Sequence, residues 1–140
     1  MKAAYVAPSE EAIRKLLKSI KHIAIIGLSP KAKRPSFKVA SALQQFGYHI
    51  IPVRPAINEV LGETAYADLS SVTEKIDLVD VFRAPEYVSA IVDDCIRLKI
   101  TALWLQDGVI DDTAAARAQA AGIFVVMDRC IYRDYHNLVK

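Results

Sequence analysis

Basic side chains are concentrated in one short loop, where they could bind a phosphate. Residues 22–40, HIAIIGLSPKAKRPSFKVA, predict a buried strand, a loop and the start of a helix, and the loop contains Lys31, Lys33 and Arg34. Unpaired backbone N–H groups and partial positive charge at a helix N-terminus attract anions. Side chains would supply most of the binding, because the loop has one glycine, Gly27, where a dinucleotide site usually has three. An exposed basic turn is the alternative interpretation.

The second apolar run ends on an arginine, where a nicotinamide site usually has an acid. An NAD site places Asp or Glu about 20 residues after its glycine loop, where the carboxylate bonds the ribose 2′-hydroxyl. This chain has Val53, Arg54 and Pro55 at that place. An arginine there favours a further phosphate on the ribose, as in NADP (2′-phosphate) or coenzyme A (3′-phosphate). A solvated loop arginine is the alternative.

Short apolar runs alternate with helical stretches and predict the elements that position these residues. The runs are nearly continuous in hydrophobicity, as in strands covered on both faces. They span 23–27, 49–53, 77–82, 102–106 and 123–127, with a weaker run over 63–67 that suggests a short edge strand. The alternation predicts an α/β fold with a Rossmann-like, doubly wound, mostly parallel sheet of five to six strands and helices on both faces.

One domain is expected over residues 1–140, with an N-terminal helix over about 9–20 and a Rossmann-like core over about 22–133. An open parallel sheet binds ligands at the carboxyl ends of its strands, near the point where strand order reverses. The residues that follow the last three strands are polar, cationic or turn-forming. They are Arg83, Ala84 and Pro85, then Gln106, Asp107 and Gly108, then Asp128, Arg129 and Cys130.

The composition argues against several classes of protein. A formal net charge of +2 with scattered lysines and arginines does not favour a nucleic-acid-binding protein. No apolar run approaches the ~20 residues that a membrane helix needs. The N-terminus lacks the features of a signal peptide, so a cytoplasmic protein is expected. Cys95 and Cys130 match neither a zinc pattern nor a disulfide framework.

The strand-end motifs together resemble a known family. The segments GLSPKAKRPSFKVASALQQFGYHIIPVRP, LGETAYADL, IDLVDVFRAPE, LWLQDGVI and VVMDRC are similar to those of the small bacterial and archaeal CoA-binding proteins. These proteins resemble the N-terminal CoA-binding domain of the succinyl-CoA synthetase α-subunit. The resemblance covers residues from about 12 to 133 and implies a Rossmann-like sheet with coenzyme A lying across the strand ends.

The resemblance also implies a role for each strand end. Gly27, Ser29, Arg34 and Ser36 would hold the pyrophosphate region, and Val53, Arg54 and Pro55 would lie by the adenosine 3′-phosphate. Phe82, Arg83 and Pro85 would line the middle of the ligand, Gln106 and Gly108 its pantetheine side, and Cys130 its thiol end. The sequence departs from the family in KAKRPS, where Ala32 and Lys33 stand in place of an acid, so Lys33 adds charge to the predicted phosphate loop.

Catalytic machinery is harder to find. No two carboxylates form an evident acid–base couple, and Asp77 and Asp80 flank or interrupt a strand. The sequence has no serine elbow and no Walker loop. The ligase whose CoA-binding domain these proteins resemble uses a phosphorylated histidine in a second domain, and no such domain is expected within residues 1–140. His22, His49 and His136 fit structural or surface roles.

Hypotheses of different class therefore remain open. The favoured one is a non-catalytic module, carrier or sensor that binds coenzyme A or an acyl-CoA. The alternative is an NADP-dependent enzyme, or an acyl-CoA-handling enzyme that uses Cys130, whose thiolate the adjacent Arg129 would favour. A nucleotide-independent interaction protein would leave the cationic strand ends unexplained. The sequence leaves open the physiological role, the acyl group and whether the protein forms a homodimer or binds another protein.

Overall fold

A parallel five-stranded sheet forms the centre of the protein. The computed structural model describes residues 4–140. The sheet strands are β1 (His22–Ile26), β2 (His49–Val53), β5 (Leu78–Val81), β6 (Ala102–Leu105) and β7 (Phe124–Met127), and a separate hairpin contains β3 (Glu59–Val60) and β4 (Glu63–Thr64). The helices are α1 (Glu10–Ser19), α2 (Pro35–Gln45), α3 (Val88–Arg97), α4 (Asp112–Ala120) and α5 (Ile131–Leu138). The predicted α/β, Rossmann-like fold is confirmed.

The order of the strands creates one point at which the chain reverses direction across the sheet. The order is β2-β1-β5-β6-β7, and all neighbouring strands are parallel. After β1 the chain moves to one edge through α2 and β2, and it then returns to build the other three strands on the opposite side of β1. The carboxyl ends of β1 and β5 therefore flank the switch point at which doubly wound sheets bind ligands.

Both faces of the sheet are covered, which explains the continuous apolar strands. Side chains from α1, α2 and α5 pack on one face, against residues such as Ile23, Ile25 and Trp104. Side chains from α3 and α4 pack on the other face, against residues such as Ala24 and Leu103. No helix within residues 4–140 combines the length and hydrophobicity needed to cross a bilayer.

Two elements differ from the prediction. The run over 63–67 adds no full edge strand, because Glu63–Thr64 pairs with Glu59–Val60 and Tyr66 alone bridges to Val53 at the edge of the sheet. The C-terminal helix α5 extends beyond the predicted core. The inward face of α5 includes Asp134, which is buried and pairs with Arg129. This acid interrupts the stripe of apolar residues by which a buried helix face is recognised in a sequence.

A buried acid lies in the middle of the sheet. Asp80 of β5 is in register with Ile25 and Trp104, and it has no solvent-exposed surface. Neither of its carboxylate oxygens has a hydrogen-bond partner among residues 4–140. Burial raises the pKa of this carboxyl well above its usual value, because a charged group is disfavoured in a medium of low polarity.

Asp80 should make the protein less stable as the pH rises. The unfolded chain releases this proton near pH ~4, whereas the folded protein retains it to higher pH. Between those two pKa values, the free energy of unfolding should fall by up to about 1.4 kcal/mol per pH unit relative to Asp80→Asn, which cannot titrate. Urea denaturation of both proteins at pH 5, 6 and 7 measures this difference. Parallel pH profiles for the two proteins would show that Asp80 keeps an ordinary pKa.

Candidate functional site

A large open cleft lies at the carboxyl ends of the strands, at the switch point. Its volume is about 970 Å³, at the upper end of the range for small-molecule pockets. It extends from the end of β2 across β1 and β5 to the start of α5. Ten of the fourteen residues predicted from the sequence line it: Gly27, Ser29, Arg34, Ser36, Arg54, Pro55, Phe82, Arg83, Gln106 and Cys130.

The single glycine of the loop permits a close approach between two strand ends. Gly27 has φ +84°, and a Cβ atom added to it would lie 2.5 Å from the carbonyl oxygen of Phe82. Its backbone N–H donates to the Val53 carbonyl at 2.9 Å. Three strand ends therefore meet at this residue, and no larger side chain fits there without moving backbone.

Two buried serines hold the loop that follows Gly27. The backbone N–H of Ser29 donates to Ser36 Oγ at 3.0 Å, and the backbone N–H of Lys31 donates to Ser29 Oγ at 3.1 Å. These bonds tie the loop to the first turn of α2. The two serines thus have a direct structural role beside any contact with a ligand.

The N-terminus of α2 has unsatisfied positive character. Arg34 occupies its N-cap without a side-chain hydrogen bond, and its first turn contains no acid. By contrast, α1 and α4 begin with Ser9 and Asp111, which cap the helix, and each has acids in the first turn. A helix start that lacks both a cap and an acid is suited to an anion from outside the chain.

The arginines of the cleft differ from the other arginines in their partners. Arg34, Arg54 and Arg83 form no ion pair with any carboxylate in residues 4–140, although Arg54 donates to the Gly27 carbonyl at 3.4 Å and Arg83 lies over the Tyr87 ring. The remaining arginines all pair with acids; they are Arg14, Arg97, Arg117, Arg129 and Arg133. Among the arginines of residues 4–140, the three without a carboxylate partner therefore all lie in the cleft.

The far end of the cleft is formed by the start of α5. Gln106 Oε1 accepts a hydrogen bond from the Ile131 backbone N–H at 3.3 Å, and Trp104 Nε1 donates to the Arg129 carbonyl at 2.8 Å. These bonds fix Cys130, the N-cap residue of α5, beside Gln106 at the edge of the cleft.

The two cysteines occupy different environments. Cys130 is half-buried and lines the cleft, whereas Cys95 is fully buried, and burial raises the pKa of its thiol to about 12. Arg129 does not supply the free positive charge that the sequence suggested for Cys130. Its guanidinium donates to Asp134 at 2.6 and 2.9 Å and to Glu10 at 3.3 Å.

Four predicted site residues lie outside the lining of the cleft. Lys33 is exposed on the loop, and Val53 is buried beneath it, where its carbonyl accepts the Gly27 N–H. Pro85 is the first residue of a short 3₁₀ turn. Gly108 lies in a turn after β6 with φ +78°, and its backbone N–H donates to the Asp128 carboxylate. The structure adds Lys31, Val39, Ile57, Asp107 and Val109, among others, to the lining. The sequence signal for Lys31 was its place in the basic loop, and the signal for Asp107 was its position after a strand. Val39 carried no such signal and faces the cleft because of the way α2 packs.

Acidic side chains are scarce in the lining of the cleft. Among the described residues, one carboxylate lines the cleft, that of Asp107. It accepts two hydrogen bonds from Arg133, and these lower the pKa of that carboxyl. A carboxylate held in its ionised form in this way is a weak general base. Residues 4–140 contain no cluster of three or more His, Cys, Asp or Glu placed to ligate a metal.

Comparisons with known proteins show relatives that match nearly the whole chain. YneT of Bacillus subtilis (strain 168), an uncharacterised protein, is 36% identical over 124 residues, which is 89% of this chain and 92% of that protein. A hypothetical protein from Pyrococcus horikoshii OT3 superposes with a TM-score of 0.91 at 32% identity, covering 95% of this chain and 94% of that one.

A larger enzyme shares the fold over part of its length. The apo form of the dinucleotide-forming acetyl-coenzyme A synthetase 1 of Ca. Korarchaeum cryptofilum superposes with a TM-score of 0.67 at 19% identity. The match covers 77% of this chain and 26% of the enzyme. Residues 21–136 match the family described as "CoA binding domain". Because that match spans most of the chain, as the strand-end motifs predicted, the protein belongs to the CoA binding domain family.

Proposed function

We propose that the cleft binds coenzyme A or an acyl-CoA, and that the protein acts as a non-catalytic binding module, carrier or sensor. The observation that carries this proposal is that three arginines of the cleft have no acidic partner among residues 4–140 and share the cleft with the uncapped start of α2. Coenzyme A carries a pyrophosphate and a separate 3′-phosphate, so it offers anions at more than one place along its length. Membership of the CoA binding domain family supports the choice of ligand.

The ligand is proposed to lie across the strand ends in one direction. Its pyrophosphate contacts the backbone N–H groups at the start of α2 and the side chain of Arg34. The adenosine 3′-phosphate pairs with Arg54 at the end of β2, and the middle of the ligand crosses Phe82 and Arg83. The thiol end reaches Gln106 and Cys130. Support for this direction comes from the elongated cleft and from the position of Arg54 where a ribose would be bound.

The ligand itself is tested by calorimetric titration with CoA, NADH, NADPH and ATP. CoA is expected to bind most tightly, because only CoA combines the 3′-phosphate with a pantetheine arm that reaches Cys130. Tighter binding of NADPH would favour the NADP-dependent alternative, since its 2′-phosphate could use the same arginine. NADH or ATP as the best ligand would contradict the proposal.

Arg54→Ala should weaken the binding of CoA. A hydrogen bond between charged groups contributes about 1.5–3 kcal/mol, so the dissociation constant should rise roughly 10- to 150-fold. Dephospho-CoA, which lacks the 3′-phosphate, should bind the wild type and Arg54→Ala equally. Arg14→Ala, which removes an exposed arginine of α1, is the matched control and should not change either affinity. Equal losses for both ligands in Arg54→Ala would mean that Arg54 supports the loop through the Gly27 carbonyl instead.

Cys130 offers a chemical measure of where the thiol end lies. In CoA disulfide exchange, the Cys130 thiolate attacks one sulfur of the disulfide, forms a Cys130–CoA mixed disulfide and releases one CoA thiolate. Peptide mapping after brief exposure should find modification at Cys130 and none at Cys95, whose buried thiol has a pKa of about 12. Excess adenosine 3′,5′-bisphosphate, which has the 3′-phosphate and no thiol, should slow the reaction, and Cys130→Ser should abolish it. Preferential modification of Cys95 would show that the thiol end points elsewhere.

A further inference from the structure

A second, smaller groove adjoins the cleft. It runs between α2 and α5 and has a volume of about 310 Å³. Its walls are formed by Lys38, Val39, Ser41, Ala42, Gln45 and Tyr132. Val39 also lines the main cleft, so one side chain forms part of both.

The helix α5 connects the two sites along its first turn. Cys130 lines the cleft, and Tyr132, two residues later, lines the groove. Tyr132 is 43% exposed and stacks on Phe46, which in turn stacks on Tyr135 with ring centroids 3.9 Å apart. This aromatic stack lies just beyond Gln45 on α2, so it limits the length of the groove.

The lining has the character expected for a short apolar chain. Val39, Ala42 and the Tyr132 ring provide apolar surface, while Lys38, Ser41 and Gln45 provide polar groups. From Val39 to Gln45 the groove follows about 9 Å of α2, at 1.5 Å per residue. An extended acyl chain advances ~1.3 Å per bond, given a C–C bond of ~1.5 Å, so about six or seven bonds span this length.

We infer that the groove binds the acyl group of an acyl-CoA, and that the preferred thioester carries an unbranched apolar chain of about six carbons. This inference rests on the proposed binding of CoA in the main cleft. The thioester sulfur would lie near Cys130, and the acyl chain would pass Val39 and lie along Ala42 toward the aromatic stack. An occupied groove would also cover the exposed face of Tyr132.

Calorimetric titration with CoA and hexanoyl-CoA tests the inference. The wild type should bind hexanoyl-CoA at least about tenfold more tightly than CoA, because several methylene groups leave water. Ala42→Phe fills the groove and should bind CoA like the wild type while losing the preference for hexanoyl-CoA. Ala90→Phe makes the same change at an exposed position of α3, on the opposite face of the sheet, and should retain the preference.

Tyr132→Ala provides a second variant that removes one wall of the groove. It should also reduce the preference for hexanoyl-CoA without weakening the binding of CoA. Equal affinity of the wild type for CoA and hexanoyl-CoA, or an unchanged preference in Ala42→Phe, would overturn the inference and leave the binding of CoA in place. Failure of the wild type to bind CoA at all would instead contradict the proposed function.

Discussion

The close approach of β1 and β5 at Gly27 is the constraint on which the rest of the site depends. The backbone of Gly27 passes so near the Phe82 carbonyl that no Cβ atom fits between them. A positive φ at this residue turns the chain away from the sheet and into the loop. Because the turn occurs at the switch point, the loop, the start of α2 and the end of β5 all border one cleft. A bulkier residue would push these elements apart and separate the groups that could hold an anion.

The cleft is positively charged because its arginines do not pair with carboxylates of the described residues. Within the part of the chain that the structure describes, five arginines elsewhere pair with carboxylates, whereas the three in the cleft do not. Arg34, Arg54 and Arg83 lie on three different segments, after β1, β2 and β5 respectively. An extended anion can therefore be contacted from several sides.

The helix α5 completes the site from the opposite end of the chain. The side chains of Trp104 and Gln106, in and just after β6, form hydrogen bonds with the backbone at the start of α5. Arg129, just before α5, pairs with Glu10 of α1 and with Asp134 of α5, and so links the two helices. These contacts fix Cys130 at the edge of the cleft and Tyr132 beside α2. One wall of the cleft and one wall of the neighbouring groove therefore belong to the start of α5, which several independent hydrogen bonds hold in place.

The sequence by itself determined the strands, the order of elements along the chain and most of the cleft. Continuous apolar runs can be satisfied only by burial on both faces, and parallel strands carry their carboxyl ends to one edge. The residues directly after the strands, such as Arg54 and Gln106, were therefore predictable. Only the tertiary structure decided which charges remain unpaired, because Arg129 and Arg133 look like Arg34 in the sequence and differ solely in nearby acids. The tertiary structure also decided the burial of Asp80, because the pairing of strands from distant segments brings Ile25 and Trp104 beside it. It decided the place of α5 as well, because no local pattern in the sequence indicates that α5 packs beside α2.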